Sequence, residues 1–339
     1  MGRFQDVPDG EGAALTFFID AGVRIKIRNG KRMKIISAAR ELGHGNRKVC
    51  LAIGVFDGIH LGHQQIIRQT IADARLHDAL AVVITFDRHP NSVVAPDRVP
   101  QWIYAPSQKI EAIKSLGTDA MWEIHFDREF SQLSGEVFIS ELVRDFGKIQ
   151  SICVGADFVF GHRRSGNVAL LKKLAPELGF QVHGLAAVSL DGHAVSSTRI
   201  REAIRAGNFD AAGQMLGRPY AICGKVVAGD RVGRQLGFPT ANLDVIGMTL
   251  PPNGVYAAAT LISGQFYQAA LNIGLRPTLN SPVPQLRVEA HLLDFEGDLY
   301  GSEIEIEPGQ KLRDERKFGS RDELRHQIGL DVAAVRSLL

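Results

Sequence analysis

The segment Gly54–His63 constrains the fold more than any other part of this 339-residue chain. It follows the apolar run Val49–Ile53 and precedes an amphipathic segment, Gln64–Leu76. A buried strand, a glycine turn and a helix start, in this order, predict a phosphate site, because free N–H groups and the helix dipole attract anions. His60 and His63 are three residues apart, so both imidazoles lie on one face of the helix. We interpret the turn as a place where a nucleoside triphosphate is attacked.

Length, composition and charge favour a cytoplasmic protein of two domains. The chain is 45% hydrophobic and long enough to fill two cores. Its net charge of +2 is spread over both signs, so we expect no binding to nucleic acid. No run approaches the roughly 20 apolar residues of a membrane span, and no secretory signal precedes Met33, so we expect no membrane contact. The three cysteines lie far apart without CxxC spacing and are predicted to be reduced core residues.

The first half of the chain predicts an α/β domain with a parallel sheet. Near-continuous apolar runs are typical of parallel strands buried on both faces. These runs are Val49–Phe56, Ala79–Phe86, Asp119–Phe126, Ser151–Phe158 and Gln181–Val188. Helix-like segments between them are Gln64–Leu76, Ser107–Leu116, Gly135–Phe146 and Val168–Leu178. We predict a Rossmann-like domain over residues 34–216, after an N-terminal extension of residues 1–33 in which Met33 is an alternative start.

The second half predicts a small antiparallel β-barrel over residues 217–339. Its apolar runs are short and are broken by glycine and proline. They are Ile222–Val227, Gly254–Leu261, Phe266–Ile273, Arg287–Phe295 and Glu303–Glu307. The final residues, Arg321 to Leu339, predict an amphipathic helix. Its expected apolar residues are Leu324, Ile328, Ala333 and Leu338.

A second candidate phosphate site lies at the end of the first domain. Ser196, Ser197 and Thr198 place hydroxyl groups at a predicted helix start, and a serine there caps the helix. Capping does not account for Arg199 and Arg201, since the helix dipole disfavours cations at this end unless an anion intervenes. The phosphates of ATP would supply that anion.

Other interpretations of the histidine pair stay open. One histidine can cap the helix or bond a core carbonyl. An HxxH pair can also bind a metal, although further ligands at similar distance would be needed.

Together the two motifs resemble the HxGH-type nucleotidyltransferases, in which attack falls on the α-phosphorus of a triphosphate. This chemistry needs positioning and neutralisation of phosphate charge. The resemblance implies that His60, His63, Arg199 and Arg201 act as cationic donors. It also implies that ATP phosphates are bound by further residues of both motifs: Gly54, Phe56, Asp57, Gly58, Ser196, Ser197, Thr198 and Arg201.

Two further motifs, Thr85–Pro90 and Val154–Gly161, narrow the resemblance. In this order the four motifs resemble the adenylyltransferase module of the bacterial bifunctional riboflavin kinase/FAD synthetases. The resemblance implies that the flavin contacts His89, Asp157 and Phe158. The chain departs from the family pattern at two places: Asp87-Arg88 replaces the usual Glu-Pro, and Asn167 replaces a common Asp.

The second half contains no GxxxxGK[ST] motif, which excludes a Walker-type kinase. Three glycines four residues apart, Gly229, Gly233 and Gly237, suit close contact of the backbone with phosphates. With Pro239–Asn242, Asn272–Thr278 and Glu289, this region resembles the riboflavin kinase barrel.

That resemblance implies roles for particular residues of the barrel. Pro239, Thr240 and Asn242 would bind the nucleotide phosphates, with Mg²⁺ held by Thr240 and Asn242, and Glu289 would accept the proton of the riboflavin 5′-hydroxyl. Alternation along the strand turns Glu289 away from Val288 and Ala290, into a cleft or into solvent.

The predicted function is therefore bifunctional. The barrel would phosphorylate riboflavin to FMN with ATP, and the α/β domain would transfer AMP from ATP to FMN, giving FAD and pyrophosphate. Both steps would use Mg²⁺ with ATP as co-substrate, in a monomer or weak homo-oligomer. The alternatives are a nucleotidyltransferase for another phosphorylated acceptor, a flavin-sensing module without turnover and, least favoured, an RNA-binding barrel.

Overall fold

The computed structural model describes residues 16–19, 23–26, 33–230, 232–278 and 281–338. Near the N-terminus, Thr16–Ile19 (β1) and Val23–Lys26 (β2) pair as an antiparallel hairpin. The rest of the predicted extension, residues 1–33, lies outside the described residues apart from Met33. The side chain of Met33 is buried, and its sulfur accepts a hydrogen bond of 3.0 Å from Thr118. Met33 therefore packs with the α/β domain.

A six-stranded parallel sheet forms the centre of the first domain. Its strands are Lys34–Ile36 (β3), Val49–Ile53 (β4), Leu80–Phe86 (β5), Ala120–Ile124 (β6), Ile149–Gly155 (β7) and Gln181–Leu185 (β8). All five predicted strands and the α/β class are confirmed. The edge strand β3 was not predicted, because three residues are too few to show a hydrophobic period and pairing with β6 holds them in place.

Helices cover both faces of the sheet. They are Leu61–Leu76 (α1), Pro106–Ser115 (α2), Gly135–Phe146 (α3) and Val168–Leu178 (α4), followed by Ser197–Arg205 (α5) and Phe209–Leu216 (α6). Alternate residues of β4 enter different cores: Cys50 packs in the core that contains Ile67 of α1, and Leu51 in the core that contains Leu142 of α3. No helix within the described ranges has the length and apolar character needed to cross a membrane.

The order of the strands creates a crevice at one edge of the sheet. The spatial order is β8–β7–β4–β5–β6–β3, so the chain extends the sheet to one side of β4 and then crosses to the other side with β7. Ligands of open α/β sheets bind at such a reversal, outside the carboxyl ends of the strands. Gly54 follows β4 directly and Gly155 ends β7, so two of the predicted motifs meet there.

The second domain is a closed antiparallel barrel with strand order β9–β10–β13–β12–β11–β14. The strands are Ile222–Val227 (β9), Ala241–Asp244 (β10), Gly254–Ile262 (β11), Gln265–Thr278 (β12), Ser281–Leu292 (β13) and Glu303–Arg313 (β14). The predicted barrel is confirmed. Strand β10 was not predicted, because Asn242 and Asp244 disfavour strands by propensity; pairing with β9 and β13 on either side overrides that preference.

The predicted C-terminal helix is confirmed as Arg321–Leu338 (α7), while Leu339 lies outside the described residues. Its predicted apolar face was partly wrong, since Ala333 and Leu338 are exposed. The buried residues of α7 are Val335, which packs on β11, and Asp331, which pairs with Arg313 at 2.8 Å. The buried face of α7 therefore passes through Asp331, a charged residue that hydrophobic periodicity does not select. Its pairing with Arg313 makes this burial possible.

The two domains share one hydrophobic core. The cluster that contains Ile67 of α1 continues through Leu216 and Tyr220 to Leu271 inside the barrel. Backbone hydrogen bonds also cross the junction, since the amide of Trp102 donates to Gly247 at 2.8 Å. The domains are therefore joined by packing as well as by the chain.

Candidate active sites

The turn between β4 and α1 has a strained backbone. Phe56, Gly58 and Ile59 lie in the left-handed region, with φ of +52°, +79° and +40°. A β-branched residue such as Ile59 rarely adopts this conformation. A Cβ on Gly54 would lie 3.1 Å from the Phe56 ring. Strain of this kind persists where surrounding contacts over-determine the backbone, as is common at ligand sites.

The two histidines lie together at the start of α1, as predicted. Their rings stack with centroids 3.6 Å apart and planes 20° apart. His60 is buried and is the N-cap of α1, where its Nδ1 accepts a hydrogen bond of 3.4 Å from the His63 amide. The capping interpretation therefore also holds for His60. His63 is partly exposed, but its Nδ1 is buried and has no hydrogen-bond partner within the described residues.

The charge of the histidines differs from the expectation that they are cationic donors. Burial and the nearby Arg201 lower the pKa of His60 to about 4. Burial and His60 hold the pKa of His63 well below its usual value. Both rings are thus neutral at pH 7. Because Nδ1 of His60 accepts, its proton lies on Nε2, and this ring can donate one hydrogen bond to an anion.

Arg201 already has an anion within the protein. Its Nη2 donates to Asp57 Oδ2 at 2.5 Å and its Nε donates to the carbonyl of Gln101 at 2.6 Å. Burial raises the pKa of the Asp57 carboxyl against the opposing effect of Arg201, and burial lowers the pKa of Arg201. Asp57 therefore supplies an anion for Arg201 within the protein, while the predicted contact of Arg201 with ATP phosphates stays a prediction.

The serine motif joins the first motif through a different contact. Ser197 Oγ donates to the carbonyl of Asp57 at 3.2 Å, and Ser196 caps α5 by accepting from the Arg199 amide at 3.3 Å. Arg199 is half-buried and donates to the carbonyls of His193 and Ala194. Thr198 is exposed. Among the described residues Arg199 meets carbonyl oxygens and no carboxylate, so it keeps an unneutralised charge near the crevice.

An aromatic cavity of about 860 Å³ lies beside the crevice. Its lining includes Val55, Phe86, Phe126, Phe130, Phe158 and Phe160, with Arg128, Arg163 and Arg164 also present. Phe158 stacks on Phe160 with centroids 5.2 Å apart. This lining suits a flat, largely apolar ring system.

The three predicted flavin residues do not all reach this cavity. Phe158 lines it, but Asp157 lies exposed in the turn after β7 and is not part of the lining. His89 is also outside the lining, although its neighbour Pro90 belongs to it. The His89 ring instead turns back, and its Nδ1 accepts from the Asn91 amide at 3.1 Å.

The two departures from the family pattern have local explanations. Asn167 caps α4 by accepting from the Leu170 amide at 3.0 Å, and Asn and Asp are about equally good N-caps. Asp87 accepts from the Phe126 amide at 3.0 Å and pairs with Arg88 at 3.1 Å. Against the effect of burial, these hydrogen bonds lower the pKa of Asp87.

The second site lies on the outer face of the barrel. Asn242 of β10 pairs with Glu289 of β13, which pairs with Asn272 of β12, so one carboxylate lies between two carboxamides in a single row. Val288 and Ala290 point into the barrel core. The row lines a cavity of about 590 Å³, and Phe318 and residues of α7 also line it. Glu289 thus faces a cleft.

Thr240 and Asn242 separate this cleft from a second cavity of about 340 Å³. Gly229 and Pro239 line the second cavity. A Cβ on Gly229 would collide with the Asn242 side chain, so only glycine lets this loop approach.

The other two glycines of the motif differ in their positions. Gly233 lines the cleft beside Glu289, and a Cβ there would collide with the Phe238 carbonyl. Gly237 lines neither cavity; its φ of +89° explains its presence as a turn residue.

The oxygen atoms of Thr240 and Asn242 are suitable ligands for Mg²⁺. Within the described residues there is no group of three or more His, Cys, Asp or Glu side chains that could hold a metal. Mg²⁺ commonly binds one or two protein groups together with substrate phosphates and water. The donor set fits a metal that arrives with the nucleotide.

Two residues near Glu289 were missed. Arg287 and His291 are on the same face of β13 and line the same cleft. Arg287 Nη1 lies 3.7 Å from Glu289 Oε1 and 3.0 Å from Asp230 Oδ2, while His291 Nδ1 lies 2.7 Å from the Pro239 carbonyl. The alternation that selected Glu289 applies to both, because every second residue of a strand faces the same side.

Comparison with known proteins agrees with this division. A family model for FAD synthetase matches residues 43–199, and one for riboflavin kinase matches residues 216–339. The bifunctional riboflavin kinase/FMN adenylyltransferase of Escherichia coli strain K12 is 36% identical over 306 residues, which cover 90% of this chain and 97% of that protein. The Haemophilus influenzae enzyme of the same name is 35% identical over 302 residues, 88% of this chain and 97% of its own length.

The fold also has a solved counterpart. A crystal structure described as a macrolide-efflux protein from Streptococcus pneumoniae has a TM-score of 0.75 and 29% identity, and the match covers 91% of this chain and 99% of that one. The likeness extends over both domains. With both family models and near full-length relatives in agreement, the chain belongs to the bifunctional riboflavin kinase/FMN adenylyltransferase family.

Proposed function

We propose that residues 217–339 phosphorylate riboflavin to FMN with ATP, and that residues 34–216 transfer AMP from a second ATP to FMN, giving FAD and pyrophosphate. The relatives are named for both activities. The observation that carries the division is the separation of the cavities. Among the described residues, those that line the aromatic cavity lie between Ile53 and Arg164, and those that line the two barrel cavities lie between Val226 and Asp331.

In the kinase site, Glu289 accepts the proton of the riboflavin 5′-hydroxyl as its oxygen attacks the γ-phosphorus of ATP and ADP leaves. The cleft beside Glu289 receives riboflavin, and the cavity beyond Thr240 and Asn242 receives the nucleotide. Arg287, whose Nη1 lies 3.7 Å from Glu289 Oε1, orients this carboxylate through an ion pair. Thr240 and Asn242 would hold Mg²⁺, which would supply neutralisation of the phosphate charge.

In the adenylyltransferase site, a phosphate oxygen of FMN attacks the α-phosphorus of ATP and pyrophosphate leaves. The free N–H groups at the start of α1 and the neutral His60 donate to the triphosphate. Arg199 contributes the positive charge that the neutral histidines do not. The aromatic cavity holds the isoalloxazine ring through Phe158 and its neighbours.

Asp57 and Arg201 have a different part in this site from the one the motif implies. We assign them to shaping the turn, since each neutralises the other. Gly54 and Gly58 let the backbone approach the phosphates. We place both reactions in the cytoplasm, where ATP is available, and the expected monomer or weak homo-oligomer stays a prediction.

Substitution of Glu289 by Gln tests the kinase assignment. The amide keeps the shape of the side chain but cannot accept the proton, and general-base catalysis contributes about 10²–10⁴-fold. We expect formation of FMN from riboflavin and MgATP to fall by at least about 100-fold. Formation of FAD from supplied FMN should persist, with both products measured by chromatography.

Glu296→Gln is the matched control, because Glu296 is an exposed barrel glutamate outside both cavities. It should leave both rates unchanged. Loss of both activities in a folded Glu289→Gln protein, or an unchanged kinase rate, contradicts the assignment.

A further inference from the structure

The carbonyls of three consecutive residues in the first-site turn are each held by a different part of the chain. Ser197 Oγ of α5 donates to the carbonyl of Asp57 at 3.2 Å. Arg218 Nη2 donates to the carbonyl of Gly58 at 3.4 Å. Gln64 Nε2 of α1 donates to the carbonyl of Ile59 at 2.9 Å. Fixing a carbonyl fixes the plane of its peptide, and hence the direction of the following N–H.

Arg218 lies outside the α/β domain, in the segment that leads into the barrel. Its guanidinium is itself fixed, since Nε donates to the Tyr104 hydroxyl at 2.5 Å and the group lies over the Tyr104 ring at 4.6 Å. Tyr104 also donates its backbone N–H to Asp57 at 3.4 Å. Arg218 and Tyr104 therefore both donate hydrogen bonds to the same turn.

The preceding residues of the segment rest on the same turn. Gln64 Nε2 donates to the carbonyl of Leu216 at 2.7 Å as well as to Ile59. A Cβ on Gly217 would lie 2.8 Å from the side chain of Leu61, in the first turn of α1. The segment Leu216–Arg218, which we call the junction segment, thus contacts both the turn and the helix start behind it.

We propose that Arg218 is a positioning residue for adenylyl transfer, through which the junction segment holds the turn that presents His60 and the N–H groups of α1. The proposal rests on the function proposed above for that turn. Gly58 and Ile59 both have a left-handed backbone, so the turn needs external contacts to keep this conformation. Arg218 supplies one of these contacts, the hydrogen bond to the Gly58 carbonyl, from outside the α/β domain. Adenylyl transfer therefore depends on a residue at the entrance of the barrel domain.

The test compares Arg218→Ala and Arg218→Lys in the full chain, with kinetics of both reactions on the same preparation. A displacement of about 1 Å at a reacting group costs up to about 100-fold in rate. We expect Arg218→Ala to lower kcat for FAD formation from FMN by about tenfold or more while KM for ATP changes less than about twofold. Arg218→Lys should recover only part of kcat, because a lysine cannot bridge Tyr104 and Gly58 with a planar fork.

Riboflavin phosphorylation by the same protein reports whether the barrel is intact, and it should be unchanged. Tyr104→Phe, which keeps the ring and loses the hydroxyl bond to Arg218, should lower kcat for FAD formation by a smaller factor. Ser107→Ala is the control for domain contact in general: the Ser107 hydroxyl donates to Glu303 across the junction and, among the described residues, makes no hydrogen bond to the turn. It should leave adenylyl transfer unchanged.

Three results would overturn the proposal. The first is an unchanged kcat for FAD formation in Arg218→Ala, and the second is a rise in its KM for ATP at constant kcat. The third is an equal fall of both activities in Arg218→Ala together with normal kinetics in Tyr104→Phe. If the unaltered protein makes no FAD from FMN and MgATP, the proposed function of the turn is wrong, which is a separate outcome from any effect of Arg218.

Discussion

His60 shows how one buried side chain serves structure and chemistry together. Its Nδ1 caps α1 and its ring stacks on His63, while burial and Arg201 keep it neutral. A neutral ring that already accepts at one nitrogen has a single donor left. In the proposed function this ring therefore donates one hydrogen bond to the triphosphate instead of attracting phosphate by charge.

The low pKa of His60 predicts a pH-dependent stability. The folded pKa is about 4 and the unfolded value is 6.5, so the unfolded chain binds more protons between these values. Stability from this group is complete above pH 6.5 and is lost as the pH falls toward 4. On moving from pH 7 to pH 5.5, His60 should account for about 1 kcal/mol of lost unfolding free energy.

His60→Asn isolates this contribution, because Asn is a good N-cap and does not titrate. Urea midpoints of the variant should depend less on pH between 5.5 and 7 than those of the unaltered protein. Equal pH dependence in the two proteins is the outcome that contradicts the assigned pKa.

At this scale the sequence predicts which side chains face a site better than it predicts their partners. Alternation along β13 predicted which way Glu289 faces, and the spacing along α1 predicted that His60 and His63 lie on one face. The partner of Arg201 is Asp57, 144 residues earlier. No local period relates such distant positions, so the sequence did not indicate that Asp57 pairs with Arg201.

The turn after β4 is the element on which the first site depends. The carbonyls of Asp57, Gly58 and Ile59 accept hydrogen bonds from α5, the junction segment and α1, respectively. The turn is also held through the Asp57 carboxylate. That carboxylate accepts the Ile103 amide at 3.0 Å and pairs with Arg201. The buried pair thus connects the turn to two further parts of the domain.

A double-mutant cycle tests this connection. Asp57→Asn leaves Arg201 buried without an anion, and removal of one partner of a buried ion pair costs about 3–5 kcal/mol of stability. Arg201→Met alone should also destabilise the protein. Their combination should be less damaging than the sum, because no uncompensated charge remains.

The cycle is measured by urea unfolding. Asp145→Asn removes the exposed pair with Arg144 and should leave the urea midpoint nearly unchanged, because solvent screens such pairs. Strict additivity of Asp57→Asn and Arg201→Met would show that the two side chains are not coupled.

Among the elements, long apolar runs were predictable and short or polar ones were not. The sheet strands β4 to β8 and the helices α1 to α4 follow from hydrophobic period alone. Strands β3 and β10 depend on neighbours in the sheet and barrel, and β10 carries Asn242 into the row beside Glu289. The sequence therefore selected Asn242 and Glu289 before the strand that aligns them was known, and their roles in the kinase reaction stay predictions.

Across the whole molecule, two separate sets of cavities share one continuous core. The cluster that begins under β4 ends inside the barrel, yet no residue of the described ranges lines cavities of both domains. Shared packing fixes the domains against each other, while separate sites allow each reaction to be removed alone. FMN made in the barrel can then reach the α/β domain of the same or another molecule through solution.

Complementation between two variants that each lack one of the two reactions tests this two-site account most directly. Given riboflavin and MgATP, Glu289→Gln should make almost no FMN, and His63→Ala should accumulate FMN with little FAD. A mixture of the two folded proteins should make FAD at a rate well above the sum of the separate rates, as followed by chromatography. A mixture that makes no more FAD than that sum would contradict the account.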